Sequence, residues 1–479
     1  MATIELPPDL AGARVHLVGI KGTGMCALAE LLFRAGSRIT GSDVADVFYT
    51  DEILKSLGLP YAEGFDAANL PADAQYVVHS AAYSPDSNPE LAEAVRRGLP
   101  VLKYTDALGS FSSRFDSAAI AGVHGKTTTT AISGVLARAA ALPAQILAGS
   151  AVGDFGGRST LSLGDRYFIA ETCEYRRHFM AFRPRRIVLT SVESDHQDYY
   201  PTYRSIRDAF VEFVGKLPSG GELIYCADDP GASEVAAAAS SGRADIKLLP
   251  YGVSADGPYR IERLETAEER TVLRLSGFPG DFRIRVPGKH VAMDAAAAIA
   301  LVSSIAGGLS GARLEAVRSA LEAFRGSRRR AEIVGEAAGV LVMDDYGHHP
   351  TAVRTTLEGI KAFYPTRRLV VSFMSHTYTR TAALLDEFAA SFDAADELVL
   401  HKIYGSAREK YSGGVTGRTL FERTAVRHPA VFYEEEPEAA AAAVAARLRP
   451  GDLFLTMGAG DNWKLGKAVL ELLRARSAQ

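Results

Sequence analysis

The sequence has only three cysteines in 479 residues, Cys26, Cys173 and Cys226, far apart and without a CxxC pair. That argues against a disulfide framework and against a thiolate zinc site, and makes a reducing cytoplasm the expected setting. Neither sign of charge prevails: 53 Lys and Arg face 57 Asp and Glu, for a net charge of −4. A broadly basic nucleic-acid binder is therefore not expected. The opening MATIELPPDL lacks the basic start and apolar run of a signal peptide. Residues 295–312 carry no charge over a length that touches a membrane span, but only five are Ile, Leu or Val and the rest are Ala, Ser and Gly. Such a run is weakly apolar for a bilayer and suits a buried helix, so no membrane insertion is expected.

What remains is a long globular chain. Its length calls for two to four domains, and hydrophobic residues at 47% and charged residues at 23% are ordinary for packed cores. The 44 glycines have no G-X-Y period and read as turns and close-approach loops. Short β-rich runs alternate with helical patterns in three separate blocks, which predicts parallel α/β sheets and three domains. The joints are expected near Lys103–Asp116 and Gly326–Arg330, giving domains 1–113, 114–327 and 328–479. Between the second and third blocks, RTVLRLSG and DFRIRVPG predict an antiparallel excursion.

Four motifs carry chemistry. In the second block an apolar strand runs into Gly122, His124, Gly125, Lys126, Thr127 and Thr128 and then a helix. Glycines there let backbone N–H groups converge on phosphate oxygens at a helix N-terminus, with Lys126 reaching the β/γ-phosphates and Thr127 placed to bind Mg²⁺. The first glycine of a full G-x-x-x-x-G-K-[ST] run is replaced by Ile120. Next, two strands end in Glu171 and Glu174 and in Glu193, Asp195, His196 and Asp198. At the C-terminal ends of strands these groups face the phosphates, and oxygen ligands suit Mg²⁺.

In the third block, Asp344, Asp345, Tyr346, Gly347, His348 and His349 follow a strand, and Ser375, His376, Tyr378 and Arg380 follow the next one. So many polar groups are costly in a core and predict one wall of a polar cleft. Near the N-terminus, Gly19, Gly22, Thr23 and Gly24 follow the first strand and Asp43 ends the second. The spacing is GxxGxG rather than the dinucleotide GxGxxG, so a nicotinamide site is disfavoured while a diphosphate remains compatible.

Together GIKGTGM, GVHGKTTTT, ESDHQDYY, FRGSRRRAE, DDYGHHPTAV, SHTYTRT and MGAGDN resemble the Mur ligase family of peptidoglycan synthesis, in that family's order and over nearly the whole chain. The resemblance implies three α/β domains: a Rossmann-like N-terminal domain for a UDP-sugar, a central P-loop ATPase-like domain, and a Rossmann-like C-terminal domain for an amino acid. It implies a cytoplasmic ATP- and Mg²⁺-dependent ligase joining L-alanine to UDP-N-acetylmuramate through an acyl phosphate. The reaction would serve cell wall biogenesis and, through it, cell shape and division. Carried over position by position, Lys126 contacts phosphates, Thr127 and Glu174 hold one Mg²⁺ and His196 the second. Arg329 lies in the segment that swings toward the phosphates when the domains close, Asp294 lies at the purine, and Asp345 holds the ribose. His348, His376 and Arg380 line the amino-acid site, while Gly22, Thr23, Gly24, Asp43, Ser80 and Asn88 meet the UDP part. Three positions depart from the pattern: Cys173 and Tyr175 flank Glu174 where acids are common, Asp294 replaces an asparagine, and Thr377 replaces an arginine, leaving Arg380 to act alone. Two alternatives accompany this reading: a recycling ligase that attaches a whole peptide, and a nucleotide-binding regulatory module without ligase chemistry.

Overall fold

The structure is a computed structural model that describes residues 5–477 apart from 268, 406–408, 410 and 412. Three sheets follow one another along the chain. The first contains strands Arg14–Val18, Arg38–Asp43, Tyr61–Glu63, Tyr76–His79 and Val101–Lys103. All its pairs are parallel, and the strand Arg14–Val18 lies between Arg38–Asp43 and Tyr76–His79. The chain winds outward from that strand in both directions, so the crevice beyond its C-terminal end is the natural ligand position. Gly19, at φ +84°, makes the turn there, and a Cβ on it would lie 2.9 Å from the Tyr83 ring.

The central sheet has seven strands, in the order Lys247–Tyr251, Glu222–Cys226, Arg186–Leu189, Asp116–Ala121, Tyr167–Glu171, Ala144–Val152 and Arg158–Ser162. Only the last pair is antiparallel. Strand Asp116–Ala121 feeds helix Lys126–Ala139, which packs on helix Lys289–Ala306. Thr129 Oγ1 of the first donates to Asp294 Oδ1 of the second at 3.2 Å. Helix Lys289–Ala306 contains most of the uncharged run, but it ends before residue 312 because Gly307 adopts the left-handed conformation, at φ +68°. It is the one described helix long and apolar enough to cross a membrane, and 72% of it is buried inside the protein. The antiparallel excursion is present and gains a strand: Ile261–Ala267, Arg270–Leu275 and Phe282–Ile284.

The third sheet runs Glu332–Ala337, Val340–Asp345, Leu453–Met457, Leu369–Phe373, Glu397–Leu400 and Val431–Tyr433, parallel except at its first pair. An antiparallel edge strand on an otherwise parallel sheet is a common closure. The polar joint expected near Lys103–Asp116 is instead largely the helix Tyr104–Ser112, buried from Ala107 to Ser112. It seats against the central body so tightly that a Cβ on Gly109 would meet the Ala181 carbonyl oxygen at 2.2 Å.

Candidate functional site at the joint of the central and C-terminal bodies

The phosphate-type loop is built around two glycines that no other residue can replace. Gly122 has φ +137° and a Cβ there would lie 2.1 Å from Thr190 Oγ1; Gly125 has φ +80° and a Cβ would lie 2.3 Å from Asp294 Oδ1. The neighbouring strand end holds the loop: Val123 N donates to the Ser191 carbonyl at 3.0 Å and His124 N to Ser191 Oγ at 2.9 Å. Helix Lys126–Ala139 starts directly after Gly125, and the first N–H groups of a helix lack intrahelical acceptors. Anions are favoured at such an end.

Lys126 folds back over this loop. Its Nζ donates to the carbonyls of Gly122 at 2.5 Å and Val123 at 3.1 Å and pairs with Glu174 Oε2 at 3.0 Å. Burial opposes charge on Lys126, but Glu174, Cys173 and Glu171 outweigh it and hold the ammonium above its ordinary pKa. For Glu174 burial is likewise outweighed, here by Lys126 and His196, and the carboxyl stays ionised. His196 Nε2 lies 3.3 Å from Glu174 Oε1, and the backbone of His196 is left-handed at φ +52°. The hydroxyl-bearing Thr127 is buried beside this group at the helix start. A hydroxyl, a buried carboxylate and one imidazole around a phosphate loop are a donor set that fits Mg²⁺ with phosphate oxygens completing it.

The facing wall belongs to the C-terminal body. Both oxygens of Asp345 accept main-chain hydrogen bonds, from Gly347 N at 2.7 Å and Ala331 N at 2.8 Å, which fixes the turn that presents His348 and His349. His348 Nδ1 lies 2.9 Å from the Tyr346 carbonyl, so Nδ1 carries the proton and Nε2 is the acceptor. Burial, then Arg380 and His376, push the His348 pKa well down, so the ring is neutral. Its ring packs edge-on against His376 at 5.4 Å. Arg380 is buried and pairs with Asp195 of the central body at 2.6 Å, with His376 Nδ1 3.3 Å from its Nη1. Between the walls lies a cleft of about 400 Å³ lined by His124, Lys126 and Asp294 on one side and Arg330, Asp345 and His348 on the other. Its lining can hold a triphosphate at one end and present charged and imidazole groups to a second reactant.

Comparison with known proteins assigns the chain. Three family descriptions match in succession: Mur ligase family, catalytic domain, over residues 14–116; Mur ligase middle domain over 120–302; and Mur ligase, glutamate ligase domain, over 329–460. The chain is 50% identical over 473 residues to the UDP-N-acetylmuramate–L-alanine ligase of Treponema pallidum (strain Nichols), covering 98% of each. The chain belongs to the Mur ligase family. Identity to the enzyme of the same name from Desulfitobacterium hafniense (strain Y51) is 37%, over 95% of this chain and 99% of that one. The fold also matches the crystal structure of UDP-N-acetylmuramate-alanine ligase MurC from Thermotoga maritima, with a TM-score of 0.76 at 24% identity, covering 97% of this chain and 100% of that one.

Within this Mur ligase, His124, Gly125, Lys126, Thr127, Thr128, Asp294, Asp345 and His348 line the same cleft, and Gly122 precedes it in the loop, where its carbonyl accepts from Lys126 Nζ. Glu174 and His196 join it through Lys126 and each other, and His376 and Arg380 through His348. Arg329 does not line this cleft. Its Nε pairs with Asp344 at 2.8 Å and its Nη2 donates to the Gly458 carbonyl at 2.5 Å, because its left-handed backbone turns the side chain into the C-terminal body. Arg330 lines the cleft.

The N-terminal glycine turn stands apart. Thr23 and Gly24 line a second cleft of about 220 Å³, shared with Glu171, Cys173 and His178 of the central body. Gly22 caps helix Thr23–Arg34, and Asp43 accepts from Lys21 N at 2.6 Å and Val44 N at 2.8 Å. Ser80 lies against Gly19. Asn88 is buried and its Oδ1 caps helix Pro89–Arg96 at Glu90 N and Leu91 N, so its carbonyl end is structural. Sequence reading missed the partnerships of Asp195, Glu193 and Arg330. The first two stand in the quoted ESDHQDYY run, but a partner 185 positions away leaves no local signal.

Proposed function

We propose that this chain is an ATP-dependent ligase that joins L-alanine to UDP-N-acetylmuramate. The observation that carries the reading is the cleft that the phosphate loop of the central body shares with His348 of the C-terminal body, whose ring packs on His376 beside Arg380. Full-length identity to ligases of that name narrows the substrates. Residues 1–113 then serve the UDP-sugar at the Gly19–Gly24 turn, 114–327 the ATP, and 328–479 the amino acid.

A carboxylate is a poor electrophile, so the first requirement is activation. An oxygen of the muramoyl carboxylate forms a bond to the γ-phosphorus as the bond to the ADP oxygen breaks, leaving an acyl phosphate. Positioning and charge neutralisation dominate such a transfer. Lys126, kept cationic by Glu174, lies where the triphosphate charge develops, and the N-terminus of helix Lys126–Ala139 adds N–H donors. Mg²⁺ held by Thr127, Glu174 and His196 would supply further charge neutralisation.

The alanine nitrogen then attacks the acyl carbonyl, the tetrahedral centre collapses, inorganic phosphate leaves, and an amide remains. The amine must lose a proton, and neutral His348, with Nε2 as its acceptor, is the group positioned to receive it. Arg380 offers a guanidinium to the amino-acid carboxylate, in exchange with or beside Asp195.

Phosphate release is expected only when ATP, Mg²⁺, UDP-N-acetylmuramate and an amino acid are all present. Equal release without the sugar nucleotide overturns the reading. A product mass measurement with competing Ala, Ser, Gly and a tripeptide identifies the acceptor, and tripeptide as the preferred one would assign the chain to peptide recycling instead.

A further inference from the structure

Among the described residues, one group of three side chains has the spacing of metal ligands: the ligand atoms of His124, Glu193 and His349 lie within 4.8 Å of one another. They are distinct from the Thr127, Glu174 and His196 set. His124 belongs to the phosphate loop, Glu193 follows the strand Arg186–Leu189, and His349 caps helix Pro350–Phe363 of the C-terminal body. Glu193 Oε1 touches His124 Nε2 and lies 3.9 Å from His349 Nδ1, while Thr351 Oγ1 holds Glu193 Oε2 at 3.1 Å. The two imidazole rings face each other with centroids 5.2 Å apart.

One feature points to a ligand: His349 Nε2 is buried and makes no hydrogen bond, a costly state for a polar atom. Two imidazoles and one carboxylate suit Zn²⁺ and its neighbours better than Mg²⁺, which prefers oxygen. With bonds of about 2.0–2.1 Å, two ligands of a tetrahedral zinc stand roughly 3.4 Å apart, within a small side-chain adjustment of the distances present here.

We propose that His124, Glu193 and His349 form a site for a Zn²⁺-class cation, with water in the fourth position, that clips the C-terminal body to the phosphate loop. Occupancy fixes His124 and holds the helix Pro350–Phe363 against the central body. This site regulates access to the cleft, since the loop it immobilises is the one that receives phosphates.

Co²⁺ is the probe, titrated into the full-length protein free of nucleotide and Mg²⁺. One equivalent should give the intense visible bands of four-coordinate cobalt, and Zn²⁺ should displace it. Glu193→Gln and His349→Asn should each weaken binding at least tenfold. Asparagine retains the helix cap, and an unchanged thermal midpoint without metal verifies the fold. Zn²⁺ should also slow amide exchange in helix Pro350–Phe363 of the parent protein and not of His349→Asn. No bound equivalent, a pale six-coordinate spectrum, binding undiminished in both variants, or a loss caused by His196→Ala instead would overturn the proposal.

Discussion

Arg380 closes on Asp195 across 185 positions of chain, its Nη2 and Nε at 2.6 and 3.1 Å from the same carboxylate oxygen, with both side chains buried. The pair joins the C-terminal body to the central one at the edge of the cleft. Burial works against the Asp195 charge, but the Arg380 guanidinium outweighs it and holds the carboxyl well below the usual carboxylate range.

Removing one member strands the other. Asp195→Asn should lower stability by about 3–5 kcal/mol at pH 7, the typical cost of breaking a buried pair. The native state favours the ionised form, so this stabilisation is complete above the unfolded pKa of about 3.9 and is lost as pH falls below it. Denaturation at pH 7 and again near pH 3 checks both statements: the difference between parent and variant should shrink in acid.

Lys126 and Glu174 make a different pair, since its cation is the one meant for phosphate. Lys126→Met should reduce kcat/KM by at least about 10²–10³, the scale of losing one preorganised donor. It also leaves Glu174 with His196 alone. The variant's thermal midpoint should therefore fall without Mg²⁺ and recover when Mg²⁺ is added, an effect absent in Glu174→Gln.

Gly125→Ala tests the loop itself. The substitution forces a methyl onto Asp294 and keeps φ at +80°, so it should raise the KM for ATP at least tenfold. Gly12→Ala is the control: φ there is +74° but nothing lies within 4 Å, so only the backbone strain of about 1–3 kcal/mol applies and the KM should not move.

The run Arg328-Arg329-Arg330 shows what a linear reading can and cannot reach. The motifs were legible because each lies in one stretch: strand, glycine turn, helix start. GVHGKTTTT and DDYGHHP stand in sequence as they do in space. Where three like side chains are consecutive, backbone conformation decides their destinations. Arg328 stacks on Tyr49 of the N-terminal body at 5.1 Å, Arg329 enters the C-terminal body, and Arg330 lines the cleft. The positive φ of Arg329 that separates them has no signature in residue type. Tertiary pairs such as Arg380 with Asp195, and edge strands such as Tyr61–Glu63, three residues long, were hidden for the same reason: their partners are distant in sequence.

That division of labour is testable. Arg330→Ala should raise the KM for ATP with little change in stability. Arg329→Ala removes the partner of buried Asp344 and should lower the thermal midpoint instead. Arg328→Ala should affect neither strongly. Steady-state kinetics and thermal unfolding of the three variants distinguish these outcomes, and equal KM effects for Arg329 and Arg330 would contradict the assignment.

Asp294 gives the cleft a pH dependence of its own. Burial is the main cause that pushes its carboxyl up to about 8, against smaller lowering effects of Thr129 and Arg330. Thr129 Oγ1 donates to Oδ1 at 3.2 Å, while Oδ2 is buried without a partner. A neutral carboxyl has an O–H to donate, which an ionised one lacks, so at pH 7 Asp294 can stand where an asparagine amide would. The sign follows from protons bound: the unfolded group ionises near 3.9 and the folded one near 8, so this contribution to stability is full below about 4 and declines as pH rises toward 8. Each unit is worth up to about 1.4 kcal/mol. Asp294→Asn should abolish that slope, matching or exceeding the parent at pH 8.5 and losing its advantage at pH 5. ATP affinity of the parent should fall between pH 7 and 9 while that of Asp294→Asn stays flat, because only the parent loses a donor and gains a negative charge beside the phosphate loop.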